Sequence, residues 1–186
     1  VYDADARSYT LTLAQSCAPT PGQPVKEPFV IPVSLGLLGV KGQDVPLQLD
    51  GETVPAAGTR TVVLTQAHES FTFVNLDDEP VPSILRGFTA PVVLEFAYTD
   101  AQLLHLLAHD SDPFNRWEAG QRLAVNQAVN AIKAIATNAD TACANVLNDA
   151  YLDAMRQVLR QPSLDSAFKD LVLTLPSETY LAEQLD

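Results

Sequence analysis

Two histidines one helical turn apart, His105 and His109, are the side chains best spaced in this sequence to hold an ion. Residues four apart on a helix share a face, and Asp110 and Asp112 follow closely. A zinc site, however, needs a third protein ligand that converges with the first two. The surroundings are mostly Leu and Ala, and Pro113 opens the next segment. The favoured reading is therefore one packing or surface imidazole and one helix-end imidazole that the helix dipole welcomes. His68-Glu69-Ser70-Phe71-Thr72 begins like the zinc-hydrolase pattern His-Glu-x-x-His, but Thr72 stands where the second ligand belongs. That stretch also alternates like a strand, where residues four apart sit too far apart to chelate one ion.

Other chemistries find less. Cys17 lies in a Pro-rich loop and Cys143 on an expected helix in the other half. Two thiols in different modules do not make a disulfide framework, so both read as free cysteines of a reducing, cytoplasmic compartment. Neither has a second Cys or His at ligand spacing. No Gly-x-Ser-x-Gly elbow is present, and the few glycines form no phosphate loop. The expectation is no catalytic residue, no metal ligand and no cofactor in this chain.

The formal charge is −12 and the pI about 4.4. Acid is spread over both halves with no Lys/Arg cluster, which argues against nucleic acid and for a solvated surface. No apolar run approaches the roughly 20 residues a membrane span needs. The opening Val1-Tyr2-Asp3-Ala4-Asp5 has neither a basic n-region nor an apolar h-region. It also lacks an initiating Met, and reads as a start inside a longer chain.

One group has the composition of a contact surface. Arg86-Gly87-Phe88, between Pro82 and Pro91, places an Arg and an aromatic on a bent segment. Its plainer reading is a bulge that turns a strand while Arg86 pairs a nearby acid. Phe114 and Trp117 either anchor a helical module on its neighbour or belong to ordinary helix core. Arg86, Phe88, Phe114 and Trp117 are the candidate domain-interface residues.

The elements that position these groups fall in two halves. Tyr9, Leu11 and Leu13 alternate with Thr10, Thr12 and Ala14, the period of a half-buried strand. Further strands are expected over 29–38, 45–49, 59–65, 71–76, 82–88 and 91–98. Lys41-Gly42, Asp50-Gly51 and Asp77-Asp78-Glu79-Pro80 are the turns. That makes about seven short strands at spacings of roughly 8–14 residues, the pattern of a sandwich or barrel. No helix-length segment interrupts them, which excludes a parallel sheet. The immunoglobulin Cys-Trp-Cys signature is absent, so only the general Ig-like sandwich architecture is expected.

From residue 99 the period becomes helical. Thr99 or Asp100 caps a helix through Leu103, Leu104, Leu106 and Leu107. Asp112-Pro113 is a strong helix start, since Pro at the first helical position loses no hydrogen bond. The helix after it carries Trp117, Gln121, Ala124, Val125, Ala128, Val129, Ile132 and Ile135 on one stripe. Three more are expected: from Asp140 through Val146 and Leu147 to Leu159, from a Ser163 cap, and from a Ser177 cap. Short loops between consecutive helices suggest a stacked array, and the apolar stripe of the last helix points to a neighbour beyond it.

Pro82-Ser83-Ile84-Leu85-Arg86-Gly87-Phe88-Thr89-Ala90-Pro91-Val92 resembles the closing strands of the sandwich domain of the bacterial aminopeptidase N family. His109-Asp110-Ser111-Asp112-Pro113-Phe114-Asn115-Arg116-Trp117-Glu118-Ala119-Gly120-Gln121 resembles the first helix of its C-terminal, HEAT-like helical domain. Tyr9-Thr10-Leu11-Thr12-Leu13-Ala14-Gln15-Ser16 and Leu173-Thr174-Leu175-Pro176-Ser177-Glu178 fit the same order. The resemblance implies a parent zinc metallopeptidase that removes N-terminal residues from peptides. Its zinc is held by His-Glu-x-x-His and a distal Glu, and a Gly-Ala-Met-Glu-Asn segment recognises the substrate amine. None of these matches a position here, so no catalytic or metal residue carries over. Residues 1–98 would be the sandwich spacer, and 99–186 the incomplete start of the helical domain. The partners would be the catalytic and remaining C-terminal domains of the same chain. Two rival readings stay open: a stand-alone protein-binding module, and a small metalloenzyme using His105, His109 and an acid.

Overall fold

The computed structural model describes residues 1–137 and 146–185. Asp140 and Cys143 lie outside the described residues. The chain divides into two compact units, Val1–Glu95 and Phe96–Asp186.

The first unit holds two three-stranded antiparallel sheets. One runs β1 (Tyr2–Asp3), β2 (Ser8–Ala14), β5 (His68–Phe73); the other runs β4 (Arg60–Leu64), β3 (Ile31–Leu38), β6 (Val81–Ile84). The alternation of β2 sends Tyr9 and Leu11 inward, where Phe73 of β5 and Leu47 join them. Central strand β3 is flanked on both edges and contributes Val33, Leu35, Leu37 and Leu38 to the core, with Val62, Leu64 and Ile84 from its neighbours. The Ser34 hydroxyl is buried on β3 and satisfied by the Thr61 hydroxyl at 2.6 Å.

Four expected strands are revised. The one expected over 71–76 lies three residues earlier, as β5, and 74–76 carry no strand. Residues 45–49 contribute only single bridges, Leu47 with Ala56 and Leu49 with Phe73, because Asp50-Gly51 turns the chain at once. Residues 82–88 split into β6 and a 3-10 turn over Arg86–Phe88. The break comes at Leu85, Gly87 and Phe88, whose φ angles of 62°, 66° and 52° are left-handed. Residues 91–98 form no strand: Leu94, Phe96 and Tyr98 are half-buried and alternate with exposed Glu95 and Ala97, but the segment pairs with no strand edge, and Pro91 lacks a donor. The resulting architecture is two small antiparallel sheets with fewer, shorter strands than expected, and then helices.

Among its described residues the second unit holds five helices: α1 (Asp100–His109), α2 (Pro113–Thr137), α3 (Asp149–Arg160), α4 (Ser166–Leu173) and α5 (Glu178–Glu183). Thr99 caps α1 in a reciprocal box with Gln102, satisfying donors that the first turn leaves orphaned. The Asn115 amide donates to Asp112 Oδ1 at 2.9 Å, which fixes the start of α2 at Pro113. Ser177 caps α5. The third helix starts later than its apolar residues suggest: Asn148 is its cap, and Val146 and Leu147 precede it. Asp165, not Ser163, caps α4, because a carboxylate two residues closer receives the Ala167 and Phe168 amides while Ser163 accepts from Gln161.

The core of this unit is Leu103, Leu106 and Leu107 of α1, Ala119, Leu123 and Ala124 of α2, and Tyr151, Met155 and Val158 of α3. Gly120 brings α2 close to α1: an added Cβ would meet Leu107 Cδ1 at 3.2 Å. The buried stripe of α2 is thus rotated from the expected one and runs from Asn115 to Gln127. At 25 residues α2 outruns the 10 residues of α1, and Ile132 is left exposed.

Candidate functional site

The buried polar groups concentrate around two arginines, one in each unit. In the sandwich, the left-handed break after β6 turns Arg86 inward until its side chain is 4% exposed. Its Nε donates to Ser83 Oγ at 2.9 Å, Nη1 to the Gly58 carbonyl at 3.2 Å and Thr59 Oγ1 at 3.0 Å, and Nη2 to Asp44 Oδ1 at 2.7 Å. A planar fork of donors suits such divergent acceptors. Gly36 makes the slot. A Cβ there would fall 2.1 Å from Arg86 Cζ. Nearby, Arg60 forks onto Glu52 at 2.6 and 2.5 Å, and this hydrogen-bonded pairing holds the Glu52 carboxyl below its usual range.

In the helical unit, Arg116 of α2 is the counterpart. Its Nε donates to the Leu107 carbonyl at 2.7 Å, and its Nη2 to the Ala108 carbonyl at 2.6 Å and Gln161 Oε1 at 2.7 Å. Carbonyls in the last turn of a helix have no intrahelical donor and carry the negative end of its dipole. A cation here therefore closes α1 and ties it to α2 and to the end of α3. Burial lowers the Arg116 pKa, with Asp110 pulling the other way.

His105 and His109 share one face of α1, with ring centroids 5.0 Å apart and planes tilted by 55°. His105 is half-buried and His109 exposed. The His109 pKa is lowered by partial burial first, then by His105 and Arg116. His68 and Glu69 lie on β5, where Glu69 accepts from the Thr65 amide at 2.9 Å. Among the described residues no three His, Cys, Asp or Glu side chains are grouped so as to hold a metal ion. The zinc that the resemblance implies for the parent therefore has no fitting holder here. Cys17 is a free, exposed thiol.

Of the candidate interface residues, Arg86 is turned into its own unit while Phe88 beside it is 63% exposed. Phe114 and Trp117 pack against each other on α2, with centroids 5.5 Å apart. Arg122 lies over the Tyr98 ring and donates to the Phe96 carbonyl. Arg116 and Gly36 escaped the sequence reading. An Asp-Pro helix start soon followed by Arg was the available signal for the first; nothing local marks the second. Among the described residues no helix is long and apolar enough to cross a membrane.

Comparison with known proteins follows this division. Residues 1–97 match a family described as a domain of unknown function (DUF3458) with an Ig-like fold, and residues 100–186 its C-terminal companion, described as ARM repeats. Aminopeptidase N of Escherichia coli is 35% identical over 185 residues, covering 100% of this chain and 20% of its own length. Aminopeptidase N of Haemophilus influenzae is 31% identical over 98% of this chain and 20% of its own length. That of Caulobacter vibrioides is 40% identical over 67% of this chain and 14% of its own length. A crystal structure of Legionella pneumophila aminopeptidase A in complex with aspartic acid matches all of this chain and 19% of its own, with a TM-score of 0.73 at 24% identity, a likeness of fold. The chain thus spans about a fifth of the length of the first two curated relatives. Its sandwich, its helices and these matches together show that it belongs to the bacterial aminopeptidase N family, as the Ig-like DUF3458 domain and the ARM-repeat region that follows it.

Proposed function

We propose that this chain is a non-catalytic, structural portion of a zinc-dependent aminopeptidase that removes N-terminal residues from peptides in the cytoplasm. Residues 1–98 serve as a spacer, and 99–186 open a helical cap that limits access to the catalytic cavity. The observation that carries this reading is the alignment of the whole chain with one fifth of the Escherichia coli relative at 35% identity. The residues themselves support it: the two most elaborate polar clusters, around Arg86 and Arg116, tie secondary-structure elements together. Leu171, Leu173, Leu175, Tyr180 and Leu185 remain exposed on and beside α4 and α5, a face suited to the next helices of an ARM-type array. The partners are then the catalytic domain and further helices of the same polypeptide, and peptides are substrates of the whole enzyme.

The test is hydrolysis of an aminoacyl chromogenic amide by the purified chain, with and without added zinc. No turnover is expected in either condition. Turnover that co-purifies with the chain and disappears with chelator would overturn the assignment.

A further inference from the structure

We propose that the loop between β2 and β3, with the apolar strip it leads into, is a preformed docking surface for a portion of the parent aminopeptidase polypeptide outside this chain. The inference rests on the aminopeptidase reading above and adds a contact site that it does not name. Residues 15–30 join the two strands with no ladder beyond one bridge between Thr20 and Gln23. Strand-free connections of that length are usually functional when they are ordered.

Polar staples hold this loop in one shape. Gln15 closes its neck: Nε2 donates to the Phe29 carbonyl at 2.8 Å and the Gln66 carbonyl at 3.0 Å, and Oε1 accepts from the Phe29 amide at 2.8 Å. At the tip, Pro21 and Gly22 form a type II turn, with Gly22 at a φ of 80° and the Gln23 amide donating to the Thr20 carbonyl at 2.9 Å. The Lys26 ammonium bridges that turn, donating to Thr20 Oγ1 at 2.7 Å and Gln23 Oε1 at 2.6 Å. Pro19, Pro24 and Pro28 restrict the backbone between these ties. The order does not come from a core: Val25 is 74%, Val30 72% and Phe29 50% exposed. Val30 leads into β3, where exposed Pro32 lies opposite exposed Val63 of β4. Apolar side chains already fixed in place lose little freedom when a partner covers them, so such a surface is built to bind. A second copy is a poor occupant, since each chain carries a formal charge of −12 and like charges repel. This chain covers 20% of the length of the Escherichia coli and Haemophilus influenzae relatives. A parent of that kind brings a large tethered surface that needs no encounter in solution.

Cys17, exposed in the same loop, is the reporter. Its alkylation by iodoacetamide under native conditions is followed by mass spectrometry of the Cys17 peptide, in the purified chain and in the whole aminopeptidase polypeptide. Labelling in the whole polypeptide should be slower by on the order of tenfold, because the reagent must await local opening. Val25→Asp/Val30→Asp should restore the rate of the isolated chain, since an apolar contact does not hold unpaired charges. In the isolated chain the same pair should change neither the labelling rate nor the urea midpoint, because both positions are exposed, and this shows that the variant folds. Equal labelling rates in the isolated chain and in a whole polypeptide that hydrolyses an aminoacyl amide would overturn the docking surface and leave the aminopeptidase reading standing. Slow labelling that the double variant leaves slow would overturn it too. Labelling of the isolated chain that slows with chain concentration would assign the surface to a second copy and overturn this occupant. A whole polypeptide without aminopeptidase activity would overturn the reading itself, and this occupant with it.

Discussion

Arg86 in the sandwich and Arg116 in the helical unit are both buried, yet they are satisfied in opposite ways. A sheet spends its backbone groups on its own ladders, so Arg86 collects acceptors from separate segments: Asp44, Gly58, Thr59 and Ser83. It also needs an absence, the missing side chain at Gly36. A helix leaves its last carbonyls without donors, so Arg116 finds acceptors already in place at Leu107 and Ala108 and adds only Gln161. The sheet therefore builds an ion-binding slot by long-range agreement, and the helix offers one as a by-product of ending.

The strongest way to break this contrast is Gly36→Ala. The new methyl group occupies the place of the guanidinium, which must leave its acceptors while still buried. We expect a loss of about 4 kcal/mol, in the range for a buried ion pair left incomplete. Arg86→Met should cost about 3 kcal/mol on the same grounds, because Asp44 is partly exposed and recovers some hydration. The decisive value is the double variant. With Arg86 gone the slot is vacant, so adding Gly36→Ala should cost less than about 1 kcal/mol further, a coupling of about 3 kcal/mol. Urea unfolding of the sandwich unit measures all four corners. Additive losses would mean that Gly36 and Arg86 act separately.

Arg116 should be less costly to lose. Removing it returns two helix-end carbonyls and one amide oxygen to whatever water can reach them, and takes a cation from the field of buried Asp110. We expect about 2 kcal/mol for Arg116→Met. Arg116→Lys retains a cation near the negative end of α1 but loses the fork, so it should recover less than half of that loss. The readout is urea unfolding followed by the helical circular-dichroism signal. Full recovery by Lys would show that charge alone, without bidentate geometry, closes the helix.

These contrasts also separate what the residues announced from what they hid. The β2 alternation of Tyr9 and Leu11, the Thr99 cap, the Asp112-Pro113 start and the Ser177 cap are local patterns, and each forms as its neighbours in sequence dictate. Residues 91–98 looked like a strand because Val92, Val93, Leu94 and Phe96 carry high strand propensity. A strand, though, is completed only by a partner edge, which propensity does not report. Ser163 lost the cap of α4 to Asp165 by two residues, within the usual uncertainty of helix ends. The inward turn of Arg86 was illegible for a stronger reason. Its condition, Gly36, lies on another strand, and only the register of β3 against β6 brings the two together.

The smallest expected effect tests whether the two cores are equally dry. Tyr9 in the sandwich and Tyr151 in the helical unit are both pushed up to about 12 from an ordinary value near 10, in each case chiefly by burial, with Glu79 adding to the shift of Tyr9. The sign follows from linkage. A folded-state pKa above the unfolded one leaves stability intact below pH 10, and removes it as pH rises toward 12, because only the unfolded chain releases the proton early. At pH 11 each tyrosine should cost its unit about 1.4 kcal/mol. Tyr9→Phe and Tyr151→Phe should each flatten the alkaline fall in stability between pH 9.5 and pH 11, as read by urea midpoints. If burial is what sets both values, the two substitutions will flatten it by the same amount. If the acid beside Tyr9 contributes a measurable share, Glu79→Gln will reduce the slope of the sandwich unit and leave that of the helical unit untouched.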